Sequence, residues 1–273
     1  MPASRSWSAS PEERDIPPAI KWSAQQYTAF EAERTRPVRD LAAAIPGRDA
    51  KTAVDLGCGP GNSTEVVAAN FPDATVIGID SSPEMIAAAR KRLPNVRFEL
   101  ANIETWDDPG PFDVILSNAV FQWVPDHARL FPGIVGKLAA GGSFAVQIPD
   151  NEGEPAHRLM RDLAAQEPWA GKLASAARPA RHDVRFYYDL LKPLCTRVDV
   201  WRTIYHHVIA GGAAGVVEWF KGSALRPYLG VLDEAEQRAF LDRYQADVGH
   251  AYPAMADGTV LLPFPRLFFV ATR

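Results

Sequence analysis

The sequence predicts an α/β fold built on a doubly wound, mostly parallel sheet, and three observations carry that reading. A glycine-rich turn, Gly57-Cys58-Gly59-Pro60-Gly61, sits between a short apolar strand and a helix. Runs of β-branched and aromatic residues then alternate with helical stretches as far as Pro149, the pattern of successive βαβ units. The polar residues Asp80, Asn102 and Asn118 each close or follow one of those runs, where ligands of such sheets gather.

Residues 1–18 are rich in Ser, Pro and charge and lack an apolar signal core, so 1–20 is expected to be a disordered head before a single domain over 21–273. The stretch 22–44 reads as helical, with Tyr27, Phe30, Val38 and Leu41 apolar, and Pro37 is expected to end one helix and begin another. Thr52-Ala53-Val54 leads through Asp55 to the glycine turn, and 63–69 follows as a helix capped by Asn62 or Ser63. The second strand, 74–80, is an uninterrupted β-branched run, as expected where both faces are buried. Ser81-Ser82-Pro83-Glu84 opens the next helix with a serine cap, a first-turn proline and a capping box from Ser81 to Glu84. Strands follow at 96–100, 113–119 and 143–149, with a helix over 126–138 that Gly141-Gly142 is expected to end.

Beyond Asp150 the pattern changes. Helices are expected at 155–165, 186–194, 215–228 and 234–250, and a strand at 196–208. The last strand, 259–271, carries Pro263 and Pro265 and is expected to bend at Phe264-Pro265. The helices between the last two strands have no place in a minimal sheet and read as a lid over its ligand edge.

Composition narrows the function. Of 273 residues, 47% are hydrophobic, ample for a core, and 23% are charged. A net charge of -4 gives no case for attraction to nucleic acid or anionic membrane. No apolar run is long enough to span a bilayer, and a cytoplasmic protein is expected. Cys58 and Cys195 do not form a disulfide framework, and packing is the expected role of Cys58. His206 and His207 are adjacent on a strand and face opposite sides, so no metal site is expected there. Trp201 and Trp219 read as core.

The turn has the spacing D-x-G-x-G-x-G, which differs from the dinucleotide pattern G-x-G-x-x-G. An acid ahead of the glycines suits a ligand carrying an ammonium group and points to S-adenosyl-L-methionine (SAM) rather than NAD. Asp80 lies about 20 residues beyond the turn, where such units place the acid that accepts both ribose hydroxyls.

With these residues in place, the chain resembles the class I SAM-dependent methyltransferases. The likeness is closest to the trans-aconitate 2-methyltransferase family. It runs through Trp22, Tyr27, Phe30, Glu33-Arg34-x-Arg36-Pro37, Asp55 to Thr64, Gly78 to Pro83, Gln122-Trp123-x-Pro125-Asp126-His127 and Gln147 to Asn151. It continues at Tyr187-Tyr188-Asp189, Val198 to Thr203, Leu225-Arg226-Pro227 and Phe264 to Phe268. The resemblance implies a Rossmann-like, seven-stranded sheet with an antiparallel last strand. It implies a SAM-binding core over about 50–150, with a helical lid insert and last strands over about 151–273. It implies cofactor contacts from Asp55, Gly57, Cys58, Gly59, Gly61, Asn62, Asp80, Ser81, Met85, Asn102, Ile103, Asn118, Gln122 and Trp123. Many relatives carry Asp where this chain has Asn102, whose carbonyl can still accept from an adenine amino group.

The implied reaction is esterification of a carboxylate of trans-aconitate, a small tricarboxylate. A carboxyl group ordinarily titrates at a pH of about 4 and is ionised at neutral pH, so no general base and no catalytic acid–base residue are expected. Alignment falls to cations, and arginine suits because its planar fork meets a carboxylate with two hydrogen bonds. The candidates are Arg34, Arg36, Arg226 and Arg266, with Tyr187, Tyr188, Trp123 and His206 or His207 as candidates for polar or aromatic walls. One of Arg34 and Arg36 is an alternative partner for the carboxylate of SAM. The competing readings are methyl transfer to another small acid or to a neutral nucleophile, which would call for a base, and a non-catalytic SAM-binding module.

Overall fold

The computed structural model describes residues 31–47, 49–176 and 182–273, and the expectations for Trp22, Tyr27, Phe30 and the N-terminal head lie outside them. Helix α1 (Glu31–Ala44) leads to β1 (Thr52–Leu56), α2 (Asn62–Asn70), β2 (Thr75–Asp80), α3 (Pro83–Arg92) and β3 (Arg97–Leu100). Then come β4 (Phe112–Asn118), a 3-10 turn (Phe121–Trp123), α4 (His127–Gly136) and β5 (Leu138–Pro149). The second half holds α5 (Pro155–Ala164), α6 (Ala170–Leu173), a 3-10 turn (Ala174–Ala176), α7 (Val184–Leu191) and β6 (Arg197–Ile209). It ends with α8 (Gly212–Lys221), α9 (Arg226–Leu229), α10 (Glu234–Ala251) and β7 (Val260–Thr272).

The strands form one seven-stranded sheet in the order β3-β2-β1-β4-β5-β7-β6. Strands β1 to β5 pair in parallel, and β7 runs antiparallel to both β5 and β6. Alternation sorts the side chains into two cores. Val54, Leu56, Ile79, Ile115, Phe144 and Phe269 pack with Phe131 of α4 and Tyr187 of α7. Ala53, Val114, Leu116, Ala145, Phe268 and Tyr205 pack on the other face with Val38 and Leu41 of α1 and Val67 of α2.

Register explains the lid. Strand β7 meets β5 only from Arg266 onward, opposite Pro149, whereas its pairing with β6 continues to Val260 opposite Ile209. The ribbon of 204–209 and 260–265 therefore rises past the carboxyl end of β5. Upon it a third core forms, where Ile209, Val260, Leu262 and Phe264 pack with Met160 of α5, Val216 and Phe220 of α8 and Phe240 and Tyr244 of α10. Helix α5 precedes β6 in the chain, so the cap is wider than the insert between the last two strands.

Several local expectations are corrected. Pro37 lies inside α1 rather than dividing two helices. Burial of Val38, Leu41 and Ile45 contributes about 1.5–3 kcal/mol each, which together exceeds the roughly 3 kcal/mol cost of an interior proline. Gly61, not Asn62 or Ser63, caps α2, because φ is +91° there and the Ser63 hydroxyl is used elsewhere. Ser82, not Ser81, caps α3: its Oγ accepts from the Met85 N–H, which leaves Glu84 one position short of a capping box. Gly141 and Gly142 lie inside β5, where the register with β4 shifts, and a Cβ on Gly142 would stand 2.7 Å from the Phe112 carbonyl oxygen. The expected helix 215–228 is two helices, because Gly222 caps α8 and Pro227 suits only the first turn of α9. Pro263 and Pro265 lie within a strand continuously paired with β6, on the stretch where β5 no longer pairs with the other side.

Among the described residues, no helix is long and apolar enough to cross a membrane, and no group of His, Cys, Asp and Glu could hold a metal ion.

Candidate active site

The glycine turn is held open from beneath. The N–H groups of Gly57 and Cys58 both donate to the Ile79 carbonyl, at 2.8 and 2.9 Å, tying the turn to the end of β2. Gly57 has φ of +73°, and a Cβ there would lie 2.4 Å from a Val120 methyl. Gly59 has φ of +53° and faces space that a Cβ would share with no heavy atom within 4 Å. Backbone can thus meet a ligand directly at Gly59.

Asp80 braces this hollow. Its Oδ2 accepts from the Gly59 N–H at 2.9 Å and its Oδ1 from the Ser82 N–H at 2.8 Å. Burial pushes the carboxyl above its ordinary range, and the backbone hydrogen bonds oppose that rise. Each oxygen keeps accepting capacity for a diol. On the next strand Leu100, paired with Asp80, is 57% exposed, an apolar surface at the rim. A backbone hollow, a double acceptor and an exposed leucine fit a nucleoside.

Asp55 is deeper than expected. Its side chain is fully enclosed, and Oδ2 accepts from the hydroxyls of Ser63 and Thr64, both at 2.7 Å. Oδ1 is buried without a hydrogen-bond partner among the described residues. Burial outweighs the two hydroxyl bonds and raises the carboxyl pKa to about 6. Asp55 therefore locks the start of α2 under the turn.

The remaining cofactor candidates divide. Cys58 and Met85 turn their side chains into the core, Cys58 against Ile86, Ala89 and Phe98, so only their backbones could face a ligand. Ile103 joins the core beside Ile79, and Asn62 is buried at the start of α2. Gly61 faces Ala89, where a Cβ would come within 3.4 Å. Ser81 and Asn102 are exposed. The Asn102 Oδ1 already accepts from the Glu104 N–H at 3.0 Å, leaving one lone pair for an amino group. Asn118, at the end of β4, is buried, and its Oδ1 has no hydrogen-bond partner among the described residues. Gln122 and Trp123 are half-buried on the adjoining 3-10 turn, and the Gln122 Nε2 donates to the Ala119 carbonyl at 2.6 Å.

The sheet brings polar residues to one face of its carboxyl edge. Asn118 pairs with Gln147, Arg266 with Pro149 and Thr203, and Tyr205 with Phe264. By alternation, Asp55, Asn118, Gln147, Arg266 and Tyr205 all share the face of Ala53, Ala145 and Phe268. Contacts follow the diagonals of this pairing. The Arg266 Nη1 donates to the Gln147 Oε1 at 3.0 Å, and its guanidinium lies 4.8 Å from the Phe264 ring. Arg36 of α1 places its guanidinium 5.4 Å from the Tyr205 ring, whose hydroxyl donates to Asp40 at 2.6 Å. Arg36 is exposed and Arg266 is buried, and both act on Tyr205 electrostatically. Arg34 also belongs to α1.

Two acceptor candidates fall elsewhere. Tyr187 is a core residue rather than a wall: it is 1% exposed, stacks on Phe131 and Phe269, and its hydroxyl meets the His127 Nδ1 at 3.0 Å. Helix α7 must bury one face against the sheet, and Tyr187 lies on that face while Tyr188 is 43% exposed. Arg226 opens α9 in the cap, half-buried, and burial lowers its pKa. His206 is exposed and His207 buried between Trp219 and Phe264, on opposite faces. Tyr205, Asp40 and Phe264 are not legible as site residues in the sequence, since nothing local marks which strand residue will lie diagonal to an arginine.

The methyltransferase domain family matches residues 53–142. A trans-aconitate 2-methyltransferase of Rhodopseudomonas palustris (strain BisB5) is 50% identical over 254 residues, covering 92% of this chain and 99% of the relative. One from Methylobacterium radiotolerans is 51% identical over 256 residues, covering 92% and 98%. Among solved structures, the YcgJ protein of Bacillus subtilis superposes with a TM-score of 0.57 at 12% identity, over 87% of this chain and 98% of that one. Phosphoethanolamine N-methyltransferase 2 of Haemonchus contortus, in complex with SAM, does so at 0.52 and 15%, over 86% and 52%. At such identities these two likenesses speak to the fold alone.

Proposed function

The chain belongs to the trans-aconitate 2-methyltransferase family, and on that premise we propose that it esterifies a carboxylate of trans-aconitate with the methyl group of SAM. The products are the monomethyl ester and S-adenosylhomocysteine. The observation that carries this reading is the placement of Arg266 over Phe264 and of Arg36 over Tyr205, which pairs with Phe264, at the sheet edge where the glycine turn ends β1.

When bound, SAM supplies a methyl group activated by a sulfonium. Gly59 and Asp80 hold the nucleoside, and Asn118 offers a carbonyl oxygen toward the amino-acid end. Arg266 and Arg36 hold carboxylates of the acceptor. The attacking oxygen is already anionic, so the chain has only to orient it and exclude water. Positioning of this kind is worth several kcal/mol of barrier, on the order of 7 or more when alignment is close. No side chain needs to take a proton. Tyr205, whose phenol is pushed upward by burial and by Asp40, stays protonated and offers its ring to the Arg36 guanidinium.

The test is product analysis. Purified protein with SAM and trans-aconitate should give a monomethyl ester by mass spectrometry, while neutral phenols remain unmodified. Normal SAM binding without ester product would remove the substrate assignment.

A further inference from the structure

We propose that Gln147 is a specificity-determining residue for the acceptor, its side-chain N–H2 group binding an acceptor carboxylate beside Arg266. The inference rests on the tricarboxylate reading of the site. Gln147 is fully buried near the carboxyl end of β5, where an apolar residue would be ordinary. Its Oε1 accepts from the Arg266 Nη1 at 3.0 Å. A guanidinium offers only donors, so it fixes which end of the amide faces it and leaves Nε2 for a different partner. That Nε2 is buried and has no hydrogen-bond partner among the described residues. A buried amide donor left without an acceptor is costly, and such exceptions in folded proteins mark a ligand or a function.

The neighbouring strand does not supply the acceptor. Asn118 pairs with Gln147 and shares its face, yet the Asn118 Oδ1 is also buried without a partner among the described residues. A carbonyl and an amide N–H2 thus stand on adjacent strands without bonding each other. The carbonyl suits a cation and the N–H2 an anion. The anion is a carboxylate with two available sources, the acceptor and the methionine moiety of SAM. Arg266 decides between them: it adjoins Gln147 on the side away from β4 and the glycine turn, toward Tyr205 and Arg36. Gln147 and Arg266 together then present an oriented donor set to a carboxylate, and a neutral acceptor leaves that set unsatisfied. Such a site discriminates strongly because rejection costs unpaired buried groups.

Gln147→Met keeps the shape and removes the donor; Gln147→Glu keeps shape and polarity, retains an acceptor for Arg266 and repels a carboxylate. Binding of S-adenosylhomocysteine and of 5′-methylthioadenosine, which lacks the amino-acid moiety, should stay within about twofold of wild type in both variants and shows that each is folded. The KM for trans-aconitate should rise about tenfold or more in the Met variant and further in the Glu variant, with kcat changing less. Wild-type KM in either folded variant would overturn the inference. So would weakened S-adenosylhomocysteine binding with methylthioadenosine unchanged, which would assign Gln147 to the cofactor's carboxylate. A wild-type enzyme that forms no ester from trans-aconitate would instead remove the functional reading, and this inference with it.

Discussion

The hydroxyl of Tyr205 donates to the Asp40 Oδ2 at 2.6 Å, joining the edge strand β6 to helix α1 across the sheet face that carries Arg266. Arg36 lies one helical turn before Asp40, with its guanidinium 5.4 Å from the same ring. At i,i+4 spacing Asp40 would ordinarily be free to neutralise Arg36. Tyr205 engages that carboxylate instead, and Arg36 stays available to an anion.

Tyr205→Phe should release Asp40 toward Arg36. The KM for trans-aconitate is expected to rise severalfold while SAM affinity holds. Loss of one hydrogen bond costs about 1 kcal/mol, a melting shift of roughly 2–4 °C for a domain of this size. Asp40→Asn, which frees Arg36 without a competing charge, should leave KM unchanged or lower it. Steady-state kinetics and calorimetry separate the two variants.

Arg266→Lys keeps the charge and removes the fork that meets Gln147 and that we propose meets a carboxylate. A fall of about 10- to 100-fold in kcat/KM is expected, with SAM binding within twofold. Equal loss of SAM affinity would move Arg266 to the cofactor.

Asp80→Ala removes the acceptor of the Gly59 and Ser82 N–H groups as well as the proposed diol partner. SAM affinity should drop tenfold or more, since hydrogen bonds to charged groups are worth about 1.5–3 kcal/mol. Titration calorimetry would show it directly.

Asp55 sets a pH dependence of unusual sign. Its native pKa of about 6 lies above the value of 3.8 for an exposed carboxyl, so the folded state holds the proton more tightly than the unfolded one. Stability is therefore lost as pH rises from about 4 to about 6 and is level above that. The loss from this one group is at most on the order of 3 kcal/mol. Asp55→Asn should flatten that part of the curve, read from urea unfolding at pH 4.5 and 7. Asp80, also raised, contributes the same sign in both proteins.

Much of this site can be read from local sequence. Strands 75–80 and 112–118 and the glycine turn announce themselves, because each strand is a short apolar run that closes on a polar residue, Asp80 or Asn118, and the turn on its glycine spacing. Arg266 and Arg36 are legible as candidates, but not that the rings they lie over, Phe264 and Tyr205, meet across two strands. That meeting depends on register between strands far apart in the chain, Thr203 with Arg266 and Asn118 with Gln147, and alternation within one strand cannot supply it. Tyr187 shows the converse. Its motif draws attention, but packing against Phe131 and Phe269 decides its place. Pro37 and the Gly141-Gly142 pair mislead for one reason: a local breaker is overruled by burial in α1 and by a strand irregularity in β5.

Methyl transfer to an anionic oxygen without a base is the central claim. Single-turnover rates with trans-aconitate and saturating SAM, measured from pH 6.5 to 9 with the ester quantified by mass spectrometry, test it. Monomethyl ester is expected to form at a rate that is level across that range. A rate climbing tenfold per pH unit, or SAM bound with no ester formed, would contradict it.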